Sequence, residues 1–425
     1  MSRFGRFETP SLWAATGVPA TPVRGTLVAD VAVVGSGVVG MSIALHLAEQ
    51  GCRVVVLDGS TGDAATRASL SSGGLIAPQL VRGNAVTVRD RFGEAGERFV
   101  AGVAAAGGAT WDLIARHGLD CDAAPTGFLA PFRAPQRAQI EDTLRTWAGL
   151  RDDLSLLDAA ETRRLTGCTG YDGALLDRSG GALNPNAYAW EMGRRAAELG
   201  AQVLRGARVL GCETVPDGVQ LHLADATVQA GRVILAANGG NMALHPALAR
   251  TVLPLAVREV ATMPLPVDLR ARVMREGHAM TDRGPDIFTL RYDAAGRLIT
   301  AATMPWGQGK AALERAVNAR MARMIPGWRA TPLSHAWTGT AWLNADLQPR
   351  FVLPESNMLA VQACNGRGVA LAALIGRDAA RWALTDATDL CLPITSPRPI
   401  AAYAVARRLP NFAMGLAAVK SRIAA

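Results

Sequence analysis

The chain has 425 residues, enough for two domains or for one large domain carrying an insertion. Apolar residues make up 49% and charged residues 19%, which excludes a disordered chain. Six sparse cysteines and glycines without a triplet period exclude disulfide-scaffold and collagen-like classes, and a net charge of +8, with Lys310 and Lys420 the only lysines and no basic run longer than two, leaves no nucleic-acid footprint.

The first 26 residues are rich in Pro, Thr and Gly and are expected to form a surface arm. They lack the apolar stretch of a signal peptide. The longest apolar run, 27–48, is broken by glycines, Asp30 and His46, so no membrane span is expected and a cytoplasmic location is. The cysteines form no C-x-x-C pair and have no His at metal-ligand spacing, so free thiols and no metal site are expected.

Residues 28–34 have the length and composition of a buried strand. Residues 38–50 follow with Val39, Ile43 and Leu47 on one helical face and Gly51 as the stop. Residues 53–57 form a second buried strand, which completes a strand–helix–strand unit that opens a parallel sheet. Residues 90–150 are mixed and helical in places. A second unit spans 184–237: Asn184 caps a helix, Pro185 takes its first position, and Gly200 ends it. Strand-like runs follow at 201–204, 207–213, 218–224 and 232–237. Residues 253–305 alternate apolar and polar side chains, with turn signals at Arg283-Gly284-Pro285 and 293–296, as in an antiparallel sheet. Residues 358–382 read as a strand, a glycine turn and a long apolar helix. The expected division puts 27–85, 150–250 and 335–390 in one domain and 86–149 and 251–334 in the other, with 391–425 as a tail.

Gly35-Ser36-Gly37-Val38-Val39-Gly40 is a G-x-G-x-x-G turn between a strand and a helix. Gly35 makes the tight turn, Gly37 lets backbone approach a pyrophosphate, and Gly40 lets helix and strand pack closely. The unpaired N–H groups of the helix start then face the phosphates. Asp58 ends the next strand 18 residues after Gly40, where a carboxylate accepts hydrogen bonds from ribose hydroxyls. On this motif alone FAD and NAD both stay open.

Residues 68–74 read ASLSSGG and are followed by LIAP. Residues 337–351 read WTGTAWLNADLQPRF, and 363–380 read ACNGRGVALAALIGRDAA. With the S-L-W-x-x-T stretch at 11–16, these segments resemble the FAD-dependent oxidoreductases of the D-amino-acid oxidase and sarcosine oxidase family, nearest in pattern to the branch containing γ-glutamylputrescine oxidoreductases. The resemblance spans nearly the whole chain. It implies an α/β fold: a Rossmann-type, glutathione-reductase-like FAD domain interleaved with an α+β substrate domain that carries an antiparallel sheet. It also implies cofactor-facing roles for Ser69, Gly73 and Gly74 beside the flavin, Val209 at the adenine, Gly239 over the cofactor, and Gly366, Gly368 and Val369 at the flavin pyrimidine. A helix starting near Gly368 would stabilise negative charge on a reduced ring.

This sequence departs from the family pattern at several places. The loop's usual Arg and Asn are Ser71 and Ser72, the usual S-G-H-G turn is Asn365-Gly366-Arg367-Gly368, and a carboxylate-holding lysine is replaced by Ala370. No cysteine lies between His335 and Pro349, so the FAD is expected to be non-covalent. Both lysines fall outside these motifs, which leaves dioxygen or a quinone- or dye-type acceptor open. The activity implied is oxidation of an amine or amino-acid-like substrate, with the imine then hydrolysed. A flavin-dependent 2-hydroxy-acid dehydrogenase, an NAD-linked dehydrogenase and a non-catalytic FAD-binding subunit are the competing readings. Arg367 is the candidate catalytic residue, as a clamp for a substrate carboxylate; its bland alternative is a pairing with a backbone carbonyl or with Asp378. Structural roles are expected for His46, His335, Trp306, Arg291 and Tyr292.

Overall fold

The structure is a computed structural model that describes residues 7–13, 21–60, 68–80, 85–284, 287–302, 309–362 and 364–423. Trp306 and residues 14–16 of the N-terminal motif lie outside the described residues. In chain order the strands are β1 (Gly25–Val34), β2 (Val54–Asp58), β3 (Leu75–Ile76), β4 (Phe128–Phe132), β5 (Leu154–Asp158), β6 (Gly173–Asp177), β7 (Gly181–Ala182), β8 (Gln202–Arg205), β9 (Gly211–Val215) and β10 (Gly218–His222). They continue with β11 (Ala226–Leu235), β12 (Leu253–Pro264), β13 (Ala279–Thr281), β14 (Thr289–Tyr292), β15 (Arg297–Ala301), β16 (Leu333–Leu343), β17 (Arg350–Glu355), β18 (Met358–Gln362) and β19 (Ile394–Thr395).

The first sheet runs β19-β17-β18-β11-β1-β2-β8, and its centre, β18-β11-β1-β2-β8, is parallel. Strand alternation buries both of its faces. Val31 and Val33 face a helix layer, while Ala32 and Val34 join Val219, Leu221 and Leu248 on the other side. The helix Val38–Glu49 follows β1 and is buried from Val38 to Ala48, because helices Pro185–Glu198 and Gly368–Thr385 flank it. Small residues set these crossings. A Cβ on Gly376 would lie 2.1 Å from the Ser42 Oγ, and one on Gly193 would lie 2.8 Å from the Met41 Sδ. His46 is structural here, bonded at 2.9 Å to Glu49 and at 3.1 Å to the Ala373 carbonyl. The Asn184 side chain caps its helix by accepting from the backbone N–H groups of Asn186 and Ala187.

The second sheet runs β16-β12-β15-β14-β13-β4-β6-β5 and is antiparallel except for the β13–β4 pair. It contains β12 to β15 from the alternating stretch, as expected; residues 285–286 and 303–305 of that stretch lie outside the described residues. It also takes β5 and β6 (154–177) and β16 (333–343), which the sequence division grouped with the first sheet. Periodicity shows that a segment is a strand but not which sheet it joins: β6 pairs with β4, β5 pairs with β6, and β16 pairs with β12. The helix Glu94–His117, expected with the second sheet, instead packs Val100, Val103, Ala106 and Leu113 into the helix layer of the first.

Three smaller expectations also change. Residues 11–13 are not a surface arm: Ser11 and Trp13 are buried, because Trp13 packs edge-on against Trp337. Val209 lies in the non-strand stretch just before β9 rather than within a strand. The tail after 391 is not separate, since β19 extends the first sheet beside β17 and the Asn411 side chain accepts from the Ala256 backbone N–H. No helix among the described residues is long and apolar enough to cross a membrane.

Candidate active site

Four turns meet at the carboxyl ends of parallel strands of the first sheet, the edge where such sheets bind ligands. They follow β1, β2, β11 and β18. After β1, Gly35 takes φ +114°, and a Cβ there would come within 2.8 Å of the Ala236 carbonyl carbon. A Cβ on Gly40 would stand 1.9 Å from the Gly35 carbonyl oxygen, so the helix starts as close to the turn as backbone allows. Gly37 is its N-cap and offers no side-chain bond. The Val38 N–H is met instead by the Ser69 hydroxyl at 3.0 Å. At the end of β2, Asp58 accepts from the Ser36 hydroxyl at 2.6 Å and from the Ser60 N–H at 3.0 Å. The Val209 stretch passes beside it, since a Cβ on Gly59 would meet the Arg208 Cα at 3.0 Å.

Strand β16 crosses from the second sheet to three of the loops. The Trp337 indole donates to the Ser71 carbonyl at 3.1 Å, and Trp13 donates to the Ser72 carbonyl at 2.8 Å. A Cβ on Gly339 would fall 2.1 Å from the Ser71 Oγ, and one on Gly239 would fall 2.0 Å from the Trp342 ring. Just beyond the strand, the Asn344 N–H donates to the Asn365 side chain at 2.8 Å. Asn365 and Gly366 both take left-handed φ values, 49° and 77°, which folds the turn back so that the helix Gly368–Thr385 begins at once. The tryptophans, glycine and asparagine of the 337–344 motif thus hold the 68–74, 237–241 and 364–368 turns in one arrangement.

The charges around these turns are poorly matched. Arg367, in the last turn, has a sealed Nε without a hydrogen-bond partner. Burial pulls its guanidinium down to about 10, and the nearby charge of Arg283 adds to this. Arg283 comes from the β13–β14 turn and donates to the Gln79 side chain at 3.1 Å; its Nε also has no partner. Asp378 does not pair with Arg367. It is held by Arg377 at 3.1 Å and by the Cys391 N–H. On the second sheet, Arg291 donates to the Leu183 and Gly74 carbonyls at 2.8 and 3.3 Å and stacks 4.8 Å from the Trp13 ring. Glu259 lies against Gly73. Sequence reasoning missed Arg283, which looked like a turn signal, and Glu259, which follows Arg258 in β12; burial that leaves Arg283 Nε and Glu259 Oε2 without a partner marks them. Tyr292 is structural, donating to the Val273 carbonyl at 3.0 Å, and His335 bonds the Ser334 hydroxyl at 3.0 Å.

The family model described as FAD dependent oxidoreductase matches residues 30–382. The chain belongs to this family. It is 28% identical over 386 residues to the gamma-glutamylputrescine oxidoreductase of Escherichia coli strain K12, covering 87% of this chain and 88% of that one. Its fold is like that of the L-proline dehydrogenase of P. horikoshii (TM-score 0.71, 17% identity, 87% and 96% of the two chains). It is also like that of the glycine oxidase of Geobacillus kaustophilus (TM-score 0.66, 19% identity, 84% and 95%). The chain is therefore an FAD-dependent enzyme with a Rossmann-type domain, which resolves the choice between FAD and NAD left by the glycine motif.

The residues present fit FAD. The first helix leaves its N-cap without a side-chain bond, Asp58 stands at the end of the second strand, and glycines line each turn that faces the cleft. A substitution on β16 tests this arrangement without changing a residue of those turns. Gly339→Val would push its side chain into Ser71, an overpacking cost of about 1–3 kcal/mol. The purified variant should retain its fold by circular dichroism and bind FAD at least about tenfold more weakly.

Proposed function

We propose that the chain oxidises the C–N bond of an amine or amino-acid-like substrate that carries a carboxylate. Bound FAD supplies the hydride acceptor. The observation that carries the reading is the convergence of Arg283 and Arg367, one from each sheet's loops, with no acidic partner for either side chain among the described residues. Two buried guanidiniums of like charge are unfavourable together unless an anion lies between them. A substrate carboxylate satisfies both and fixes the C–H bond to be broken. The names of the relatives, an oxidoreductase of gamma-glutamylputrescine, a proline dehydrogenase and a glycine oxidase, support an amine or amino acid. The imine product then hydrolyses to a carbonyl compound and an amine or ammonia.

In this reading Gly35, Ser36, Gly37, Val38, Val39 and Gly40 hold the pyrophosphate, Asp58 the ribose, and Val209 the adenine. Ser69, Gly73, Gly74, Gly239, Gly366, Gly368 and Val369 surround the ring. Attachment is non-covalent, so trichloroacetic acid releases all yellow colour to the supernatant, and colour left in the pellet contradicts this. The acceptor is quinone- or dye-like rather than dioxygen. Lys310 supports this, since it sits 5.2 Å over the Phe7 ring and 3.8 Å from Glu314. Hydrogen peroxide release in air as fast as dye reduction would overturn the acceptor assignment. Arg367→Met or Arg283→Met should lower kcat/KM for a carboxylate-bearing amine by about 2–4 kcal/mol equivalent while leaving FAD content unchanged. Loss of FAD with normal substrate affinity would make Arg367 a structural residue.

A further inference from the structure

Glu259 lies in the middle of β12, paired with Trp337 on β16 and Ala301 on β15, and is 6% exposed. Its Oε2 is sealed and has no hydrogen-bond partner. A Cβ placed on Gly73 would come within 3.4 Å of its Oε1, so the carboxyl group touches the 68–74 loop. On its own face of the sheet it is followed by Ala261, which packs with Trp13, Ile299 and Trp337. A buried glutamate is ordinarily explained by a salt bridge. Glu259 makes none among the described residues: Arg291 spends its Nη1 on the Gly74 and Leu183 carbonyls.

A sealed carboxyl group without a partner is tolerated when neutral and costly when charged. Burial accordingly pushes Glu259 up to about 8, against the opposing pull of Arg291. Among the described residues Arg291 is the charged group acting on it. Asp293 and Asp122 act on Arg291 in turn, and His335, further along β16, answers to Arg297 and Asp293. Arg258, the neighbour on β12, donates to the Phe7 carbonyl. The loop residues Leu70, Ser71, Ser72, Gly73 and Gly74 and the segment Ser11, Leu12 and Trp13 bring no titratable side chain.

We propose that Glu259 is the proton-binding partner of the flavin: where it is ionised, its carboxylate takes up one proton when bound FAD takes up two electrons and one proton, and gives it back on reoxidation. The inference rests on the FAD placement proposed above. Oxidation of an amine to an imine releases two electrons and two protons. One proton leaves with the hydride, and the other, from the nitrogen, balances the proton that Glu259 gains by exchange with solvent. The physical cause is charge: negative charge arriving on a nearby ring in a poorly solvated site favours the neutral carboxyl.

Burial pushes Glu259 up to about 8, so its ionised form is reached only above that pH, and negative charge on a nearby reduced ring would move its titration higher still. Two electrons should therefore bring one proton at about pH 6 and two protons above about pH 8. The slope of the FAD midpoint potential against pH, measured by anaerobic dye equilibration from roughly pH 6 to 10, reads this number directly. The expected result is a doubling of the slope in the parent enzyme, an unchanged one-proton slope in Glu259→Gln, and a restored break in Glu259→Asp. A single slope in the parent enzyme with FAD bound overturns the inference, even if the glutamine variant fails to fold, and leaves the amine-oxidising reading intact. A chain that binds no FAD overturns both.

Discussion

The hydrogen bond from the Trp337 indole to the Ser71 carbonyl joins the two sheets at the point where the site is built. Tryptophan has one donor, and when the ring is buried that donor must find a fixed acceptor. Here the acceptor is the backbone of the 68–74 loop, so the ring sets the height of the loop above the second sheet. Gly339 then permits contact with Ser71, Trp342 lies on Gly239, and Asn344 reaches Asn365. One strand of the second sheet thereby positions three turns of the first. The first helix is fixed independently, by backbone contact between Gly35 and Gly40 and by small-residue crossings at Gly193 and Gly376. The glycine turn after β1 is thus shaped within the first sheet and its helices, whereas the 68–74, 237–241 and 364–368 turns are also held by β16 and Asn344.

Around this frame the unsatisfied charges divide by position. Arg283 and Arg367 lie near one another, and among the described residues neither side chain has an acidic partner, as the proposed carboxylate clamp requires. Glu259 occupies a dry face beside Gly73, where its charged form is disfavoured. Each of these groups costs desolvation that its bonds among the described residues do not fully offset, since Arg283 Nε, Arg367 Nε and Glu259 Oε2 are sealed without a hydrogen-bond partner. Their retention makes sense where a ligand or a redox change completes them.

The strand–helix–strand opening was legible because Gly35, Gly37, Gly40 and Asp58 act through backbone geometry and local spacing. The Asn184 cap and the Asn365–Gly368 turn were legible for the same reason. The sheet membership of β5, β6 and β16 was not, since it depends on pairings across many residues of sequence. The burial of Trp13 was hidden by its Pro- and Thr-rich neighbours. Arg367 stood out because it interrupts a glycine turn, whereas Arg283 and Glu259 become visible only when the absence of partners can be inspected in three dimensions. The 337–344 motif was recognisable as a pattern, but its physical reason, contact with three separate turns, required the fold.

The central claim is that this site takes electrons from a carbon beside nitrogen in a substrate anchored through its carboxylate. Anaerobic mixing of the purified enzyme with matched pairs of compounds tests it: amino acids, amines lacking the carboxylate, and 2-hydroxy acids of equal length. The account predicts that the yellow absorbance bleaches with a carboxylate-bearing amine, more weakly with its decarboxylated counterpart, and not with the hydroxy acid. Bleaching by the hydroxy acid alone, or by none of the amines tested, would contradict it.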